Sequence, residues 1–264
     1  MTSVLAPVAV ALSLFAVLFG AMELGFRLGR RVKRGDPLPQ LGAIQGATLG
    51  LLGLLLGFAF AGAASRFIER QDVIVREANA IGTAYLRADL LAEPHRTALR
   101  SAVRSYTELR IQLFLAIDDA EIARALNGLD QAEEAMWLAA MAGVDRDRST
   151  MMGVLPPVNE VFDLLAVRNA TTDRHLPITV LVLLITCSFV SLLLIGYGCG
   201  RDRKRQLLAA GSFAFLVAAA LSVTFDLDYP RRGIIRISAR PLEAALNGLR
   251  PMESPPVKEG RTEP

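Results

Sequence analysis

The sequence predicts an all-α integral membrane protein, with four transmembrane helices and a helical extramembrane insert between the second and third. Three observations carry this. The 264 residues are 52% hydrophobic and yet 21% charged, so the apolar residues are bunched rather than spread. Four bunches, at about 5–25, 41–65, 176–200 and 207–225, approach the ~20 residues a helix needs to cross a bilayer. Between the second and third bunches no useful length alternates apolar with polar residues, so that stretch reads as helix rather than strand.

The first bunch is expected to be a retained helix rather than a cleaved leader. Met1–Ala6 holds no basic residue, and Arg27, Arg30, Arg31, Lys33 and Arg34 follow as a stop-transfer cluster. In the second bunch no proline interrupts the chain between Pro39 and Pro94, so one helix can cross the membrane and continue into water. Glu93-Pro94 ends it. A helix from near His95 to about Ile117 follows, then one capped by Asp118 or Asp119 and ending near Gly143. Ser149 or Thr150 opens a short turn. Pro156-Pro157 is expected to start the last insert helix, Asn159–Arg174, which stops before Pro177.

The expected division is therefore 1–65 for the first two membrane helices, 66–175 for the insert, and 176–226 for the third and fourth. A short ordered tail covers 227–250, in which Gly233–Ser238 alternates enough to read as a short strand. Residues 251–264 are proline-rich, charged and poor in apolar residues, and are expected to be disordered.

Net charge is +3, but the basic residues sit beside the membrane segments, so membrane lipid rather than nucleic acid explains them. Cys187 and Cys199 lie on one predicted helix, ~18 Å apart by helical rise, too far to bridge. His95 and His175 stand next to helix breaks with no nucleophile or metal-ligand spacing, and no phosphate-cradling glycine loop occurs. Gly196-Tyr197-Gly198 ends a spanning helix and lacks the rest of a potassium filter. No enzyme activity and no cofactor are expected.

Glycines at 42, 46, 50, 53 and 57 fall within about 80° of one helix face. Such a face lets another backbone approach closely, so Gly42, Gly46, Gly53 and Gly57 are candidates for helix packing. On its edge Gly50, Leu54 and Phe58 stand four apart. Several copies around an axis would stack Leu54 and Phe58 into a hydrophobic constriction that gates by dewetting.

Arg66 and Arg70 follow one turn apart, either pairing with acidic residues of neighbouring helices or attracting anions to a mouth. Glu77 and Asn79 interrupt a small, apolar motif and are read as polar contacts inside a tight interface, with Arg87 and Asp89 further along it. Arg96, Arg100 and Arg104 form a basic stripe, for an anion or for pairing with Asp89, Glu93 or Glu108. Glu23 lies within the first membrane helix, a functional candidate by position but one turn from Arg27.

Three segments, LLGLLLGFAFAGAASRFIER at 51–70, EANAIGTAYLRADLL at 77–91 and DLDYPRRGIIRIS at 226–238, resemble the bestrophin-like domain of bacterial multi-pass membrane proteins. That family's function is not established. Gly57-Phe58 followed by Arg66-Phe67 also resembles the pore helix of bestrophins, which are pentameric anion channels. The resemblance implies a bacterial inner-membrane location, a homo-oligomer of five copies, and a channel neck on Gly50, Leu54 and Phe58, with glycine opening the first ring. Where animal bestrophins carry an acidic calcium clasp, only Asp226 and Asp228 stand here, so no metal is expected, and pairing with Arg231, Arg232 or the insert is the alternative.

Dense basic short loops favour a cytoplasmic side for 27–34 and 201–205, whereas the bestrophin resemblance puts the insert there. Both orientations stay open. The functional expectation is an oligomeric channel for small anions. Its rival is a non-conducting scaffold or signal coupler whose insert binds a partner protein.

Overall fold

The computed structural model describes residues 2–32, 40–116, 118–144, 148–172, 174–203, 205–230 and 234–249. Ile117, Lys33, Arg34, Lys204, Arg231, Arg232, Gly233 and the tail 251–264 lie outside the described residues. The rest is helical: α1 (Thr2–Arg31), α2 (Leu41–Arg87) with a 3-10 turn at Ala88–Leu90, α3 (His95–Leu115), α4 (Asp119–Gly143), α5 (Arg148–Thr172), α6 (Ile178–Arg201), α7 (Leu207–Asp228) and α8 (Arg240–Gly248). They form two compact units. One comprises 1–71 with 171–237, the other 72–170 with 238–264.

In the first unit, α1 is clasped against α6 by glycines. A Cβ on Gly25 would fall 2.0 Å from Leu193 O, and on Gly29 2.1 Å from Tyr197 O. In return, a Cβ on Gly196 would strike Met22 O and one on Gly200 would strike Phe26 O. Contacts that advance together along both chains mean parallel helices. Two small-xxx-small pairs thus set the backbones in direct contact, and Gly196 is a packing residue. α2 runs the other way along α6, with Gln45 Nε2 donating to Leu194 O (2.7 Å) and Ser191 Oγ to Thr48 O (3.4 Å). α7 is antiparallel to α1, its Phe215 ring 6.3 Å edge-on from Phe15. Leu18, Met22, Leu52, Leu184, Leu192 and Leu221 form the core between them.

The second unit buries one stripe from each helix. Leu99, Val103, Tyr106 and Arg110 of α3, which packs on α4, are buried with Leu129, Met136 and Ala140 of α4, and Val154, Val158, Val161 and Leu164 of α5 are buried as well. Asp118 caps α4 by accepting from Glu121 N (2.6 Å).

Four expectations change. α5 begins at Arg148 and carries Pro156-Pro157 inside it. Its buried stripe from Val154 to Leu164 runs straight through the prolines, and four burials, about 6–12 kcal/mol together, match or exceed the roughly 6 kcal/mol that two helical prolines cost. The segment near Gly233–Ser238 forms no strand over its described residues. Ile234 N and Ile235 N are taken by the Asp226 carboxylate (2.9 and 2.7 Å), so no ladder partner reaches them. The ordered tail contains a helix, α8, entered at Pro241 and anchored by buried Leu242. Finally, among the described residues five helices are long and apolar enough to cross a membrane, α5 joining the four expected, so length and composition alone do not fix which of them span.

Candidate functional site

The apolar first half of α2 turns one face to its own unit and leaves the other bare. Leu52, Ala59 and Ala63 are buried. On the opposite face Leu54 is 57% and Phe58 69% exposed. A Cβ placed on Gly42, Gly46, Gly50, Gly53 or Gly57 meets no atom of the chain within 4 Å. The five glycines therefore pack nothing within one chain, and the close helix packing falls to Gly25, Gly29, Gly196 and Gly200 instead. Large apolar rings beside a bare glycine track make a surface that water solvates poorly.

At the far end of this face stands a charged junction. The Arg66 guanidinium pairs with Asp228 (Nη2 to Oδ1 2.8 Å). Asp228, buried at the end of α7, also accepts from Leu176 N through Oδ2 (2.8 Å), placing its charge beside the N-terminus of α6. Arg70 is 5% exposed and donates to three carbonyls: Thr171 O (3.1 Å), Arg174 O (2.6 Å) and Asp228 O (3.0 Å). These are carbonyls of the kind a helix C-terminus leaves without partners. His175 stacks on Tyr229 at 4.2 Å, its Nδ1 3.0 Å from Asp228 O. Both arginines are thus engaged within the chain. Asp226 and Asp228 hold backbone amides and Arg66, and among the described residues no group of three His, Cys, Asp or Glu side chains is placed to hold a metal.

In the second unit the conspicuous feature is a buried ion pair. Glu77 of α2 and Arg110 of α3 are both fully buried. Arg110 donates through Nε to Oε1 and through Nη2 to Oε2 (2.8 Å), and Tyr106 Oη adds a bond to Oε1 (3.3 Å). Burial pushes the Tyr106 phenol up, and the neighbouring Glu77 carboxylate pushes it further. Burial works against the Arg110 charge, but the Glu77 carboxylate outweighs it and holds the guanidinium above its ordinary value. Burial, then Asp130, raises the Glu133 carboxyl of α4 despite Arg110.

Of the polar motif residues, Glu77 is thus an interior contact. Asn79 and Arg87 are exposed, and Asp89 pairs with Arg100, whose guanidinium lies 4.9 Å over Tyr85. The stripe pairs throughout, Arg96 with Glu93 (3.9 Å) and Arg104 with Glu108 (3.1 Å). Glu23 is held by Arg27 and by Arg205, each at 3.1 Å. Arg110 and Glu133 are the residues that sequence reasoning passed over. Their signal was present, since Arg110 occupies an apolar position in the stripe Leu99, Val103, Tyr106, Arg110, Leu113.

A family model described as the bestrophin-like domain matches residues 8–242. No curated protein matches the sequence. Among solved structures, a bacterial bestrophin homologue from Klebsiella pneumoniae is similar in several crystal structures. A single-substitution variant aligns with TM-score 0.66 at 14% identity, over 90% of this chain and 97% of that one. A second variant gives TM-score 0.62 at 15% identity, over 92% and 97%. A further structure of that homologue gives 0.63 at 13%, over 92% and 96%. At these identities the likeness is one of fold.

Proposed function

This chain belongs to the bestrophin-like domain family, and from that premise we propose that it forms a homo-oligomeric pore for small anions, lined by α2. The observation that carries the reading is the bare face of α2. Phe58 and Leu54 project from it with no cover from their own chain, beside glycines that meet nothing. Copies arranged around an axis would cover that face, with Leu54 and Phe58 as stacked rings and Gly50 as a wider layer. Such rings exclude water when narrow and pass ions when they widen. Five copies is the number the bestrophin resemblance supplies.

Four spans fit this arrangement: α1, residues 41–65 of α2, α6 and α7, with 66–175 as the extramembrane insert. α2 is 47 residues long, about 70 Å by helical rise, more than twice a hydrocarbon core. α5 is assigned to the insert because it exposes Asn159, Glu160 and Asp163, which lipid would tolerate poorly. Arg66 and Arg70 stand where the lined segment ends. Asp228 offsets Arg66, so the Arg70 charge supplies the attraction for anions.

Chloride flux into proteoliposomes, measured on wild type and Phe58→Ala side by side, tests the pore. Slow or absent flux in wild type with raised flux in Phe58→Ala supports a hydrophobic gate. Silence from both, with oligomer and helical content intact, overturns it. In that event the exposed Trp137, Leu138 and Met141 of α4 favour the second reading, an insert that binds a partner protein.

A further inference from the structure

The opposite end of the bundle carries a feature that neither the proposed pore nor the helix packing uses. Because α1 and α6 are parallel, their C-termini emerge together, and the chain turns there into α7. Arg27, Arg30, Arg31, Arg203 and Arg205 are exposed at this end and Arg201 is half-buried. Glu23 and Asp202 are the acidic side chains that the described residues place in sequence beside Arg27, Arg30, Arg31, Arg203 and Arg205. Glu23 is shared between Arg27 and Arg205, so that trio keeps a net positive charge. The Arg205 and Arg30 guanidinium groups lie 5.4 and 5.9 Å from the Phe26 ring.

Apolar surface adjoins these charges. Leu24 and Leu28 are exposed on the same turns of α1 as Arg27, and Leu207 and Leu208 follow Arg205 after Gln206, Leu208 being 87% exposed. A small cleft of about 20 Å³ opens beside Arg205, walled by Met22, Phe26, Leu207 and Ala210, with Glu23 and Arg205 as its charged lining.

We propose that this end of the bundle binds an anionic phospholipid. The phosphate lies against Arg27 and Arg205, and an acyl chain lies over the exposed leucines Leu24, Leu28, Leu207 and Leu208. Charge complementarity selects the headgroup, and the adjoining apolar wall distinguishes a lipid from free phosphate, which would engage only the guanidinium groups. The proposal rests on the membrane-spanning reading and not on conduction, so a silent pore leaves it standing.

The test is native mass spectrometry of the intact protein in a neutral detergent, titrated with phosphatidylglycerol, phosphatidylethanolamine and phosphatidylcholine. Glycerol phosphate at equal ionic strength serves as the soluble competitor. A basic residue at a membrane surface is worth about a five-fold preference. Wild type is expected to retain phosphatidylglycerol at least about five-fold over phosphatidylcholine. Arg27→Gln/Arg205→Gln should fall to near parity. If that variant fails to fold because Glu23 loses both partners, Arg30→Gln/Arg31→Gln decides, since these residues are exposed, and it should lose a few-fold. Arg96→Gln in the other unit should change nothing. Equal retention of the two lipids by wild type, a preference for phosphatidylethanolamine, displacement by glycerol phosphate, or an undiminished preference in the folded double variants would each overturn the proposal.

Discussion

Removing Glu77 should be the most damaging single change in the second unit. The carboxylate and the Arg110 guanidinium are both fully buried, and the carboxylate also receives the Tyr106 hydroxyl. Glu77→Leu strands a buried cation, which costs ~3–5 kcal/mol, and removes the phenol's partner for about 1 kcal/mol more. Glu77→Leu/Arg110→Met replaces the pair by apolar groups of similar volume, and such swaps are often neutral or stabilising. The double variant should therefore be far more stable than either single one. Global melting in detergent mixes this event with the membrane helices, so hydrogen exchange along α3 is the better assay. A loss of ~4 kcal/mol corresponds to about a thousand-fold fall in protection around Tyr106 and Arg110, largely restored in the double variant. A fall below tenfold in Glu77→Leu, or a double variant as damaged as the two single changes added together, would refute the reasoning.

Three further outcomes follow from the geometry. The native Glu133 carboxyl holds its proton more tightly than the unfolded chain does, so stability should fall as pH rises from the ordinary carboxylate range, near 4, through the raised native value. Glu133→Gln should match wild type at the acid end and exceed it above, and thermal melts from pH 4 to 8 that stay parallel would contradict this. Gly196→Ala, whose methyl lands on Met22 O, should cost about 1–3 kcal/mol or more. By contrast, Gly53→Ala should fold normally or gain up to ~1 kcal/mol of helix stability, any defect appearing only as lost oligomer on size-exclusion chromatography with light scattering. Arg70→Met takes a donor from three carbonyls; Thr171 O keeps Arg174 N and Asp228 O keeps His175, while Arg174 O is left to water or to nothing, at ~1–3 kcal/mol if it stays buried. Faster exchange at the ends of α5 and α7 would register it.

The helices of the membrane unit were legible because lipid demands long apolar runs, and the runs bounded by Arg27–Arg34, Ser65 and Arg201–Arg205 could hardly be anything else. Asp118 and Pro94 marked helix boundaries because capping and proline act within a few residues. What failed was non-local. Pro156-Pro157 read as a start because the burial of Val154, Val158, Val161 and Leu164 on both sides of the prolines is a tertiary effect, invisible from α5 alone. The two isoleucines at 234–235 read as strand because the Asp226 carboxylate that claims their amides lies eight residues back. The glycines showed the same limit most clearly. Both the α2 row and the Gly25/Gly29 and Gly196/Gly200 pairs fit a small-residue pattern, yet only the latter pack within the chain, because spacing reveals that a backbone can be approached and not which backbone approaches. Arg110 stood in plain sight on an apolar stripe, and its significance depended on Glu77, 33 residues earlier.

The parallel clasp of α1 and α6 also bears on how the protein is made. Gly25 and its neighbour Leu193 are separated by roughly 170 residues, which a ribosome adding ~5–20 residues per second takes on the order of ten to thirty seconds to cover. Throughout that interval the glycine face of α1 has no α6 to meet, and residues 72–170 of the second unit are synthesised before its mate appears. The tightest backbone contact in the bundle is thus among the last to form, so early insertion depends on the hydrophobicity of α1 alone, and the bundle closes only when α6 arrives.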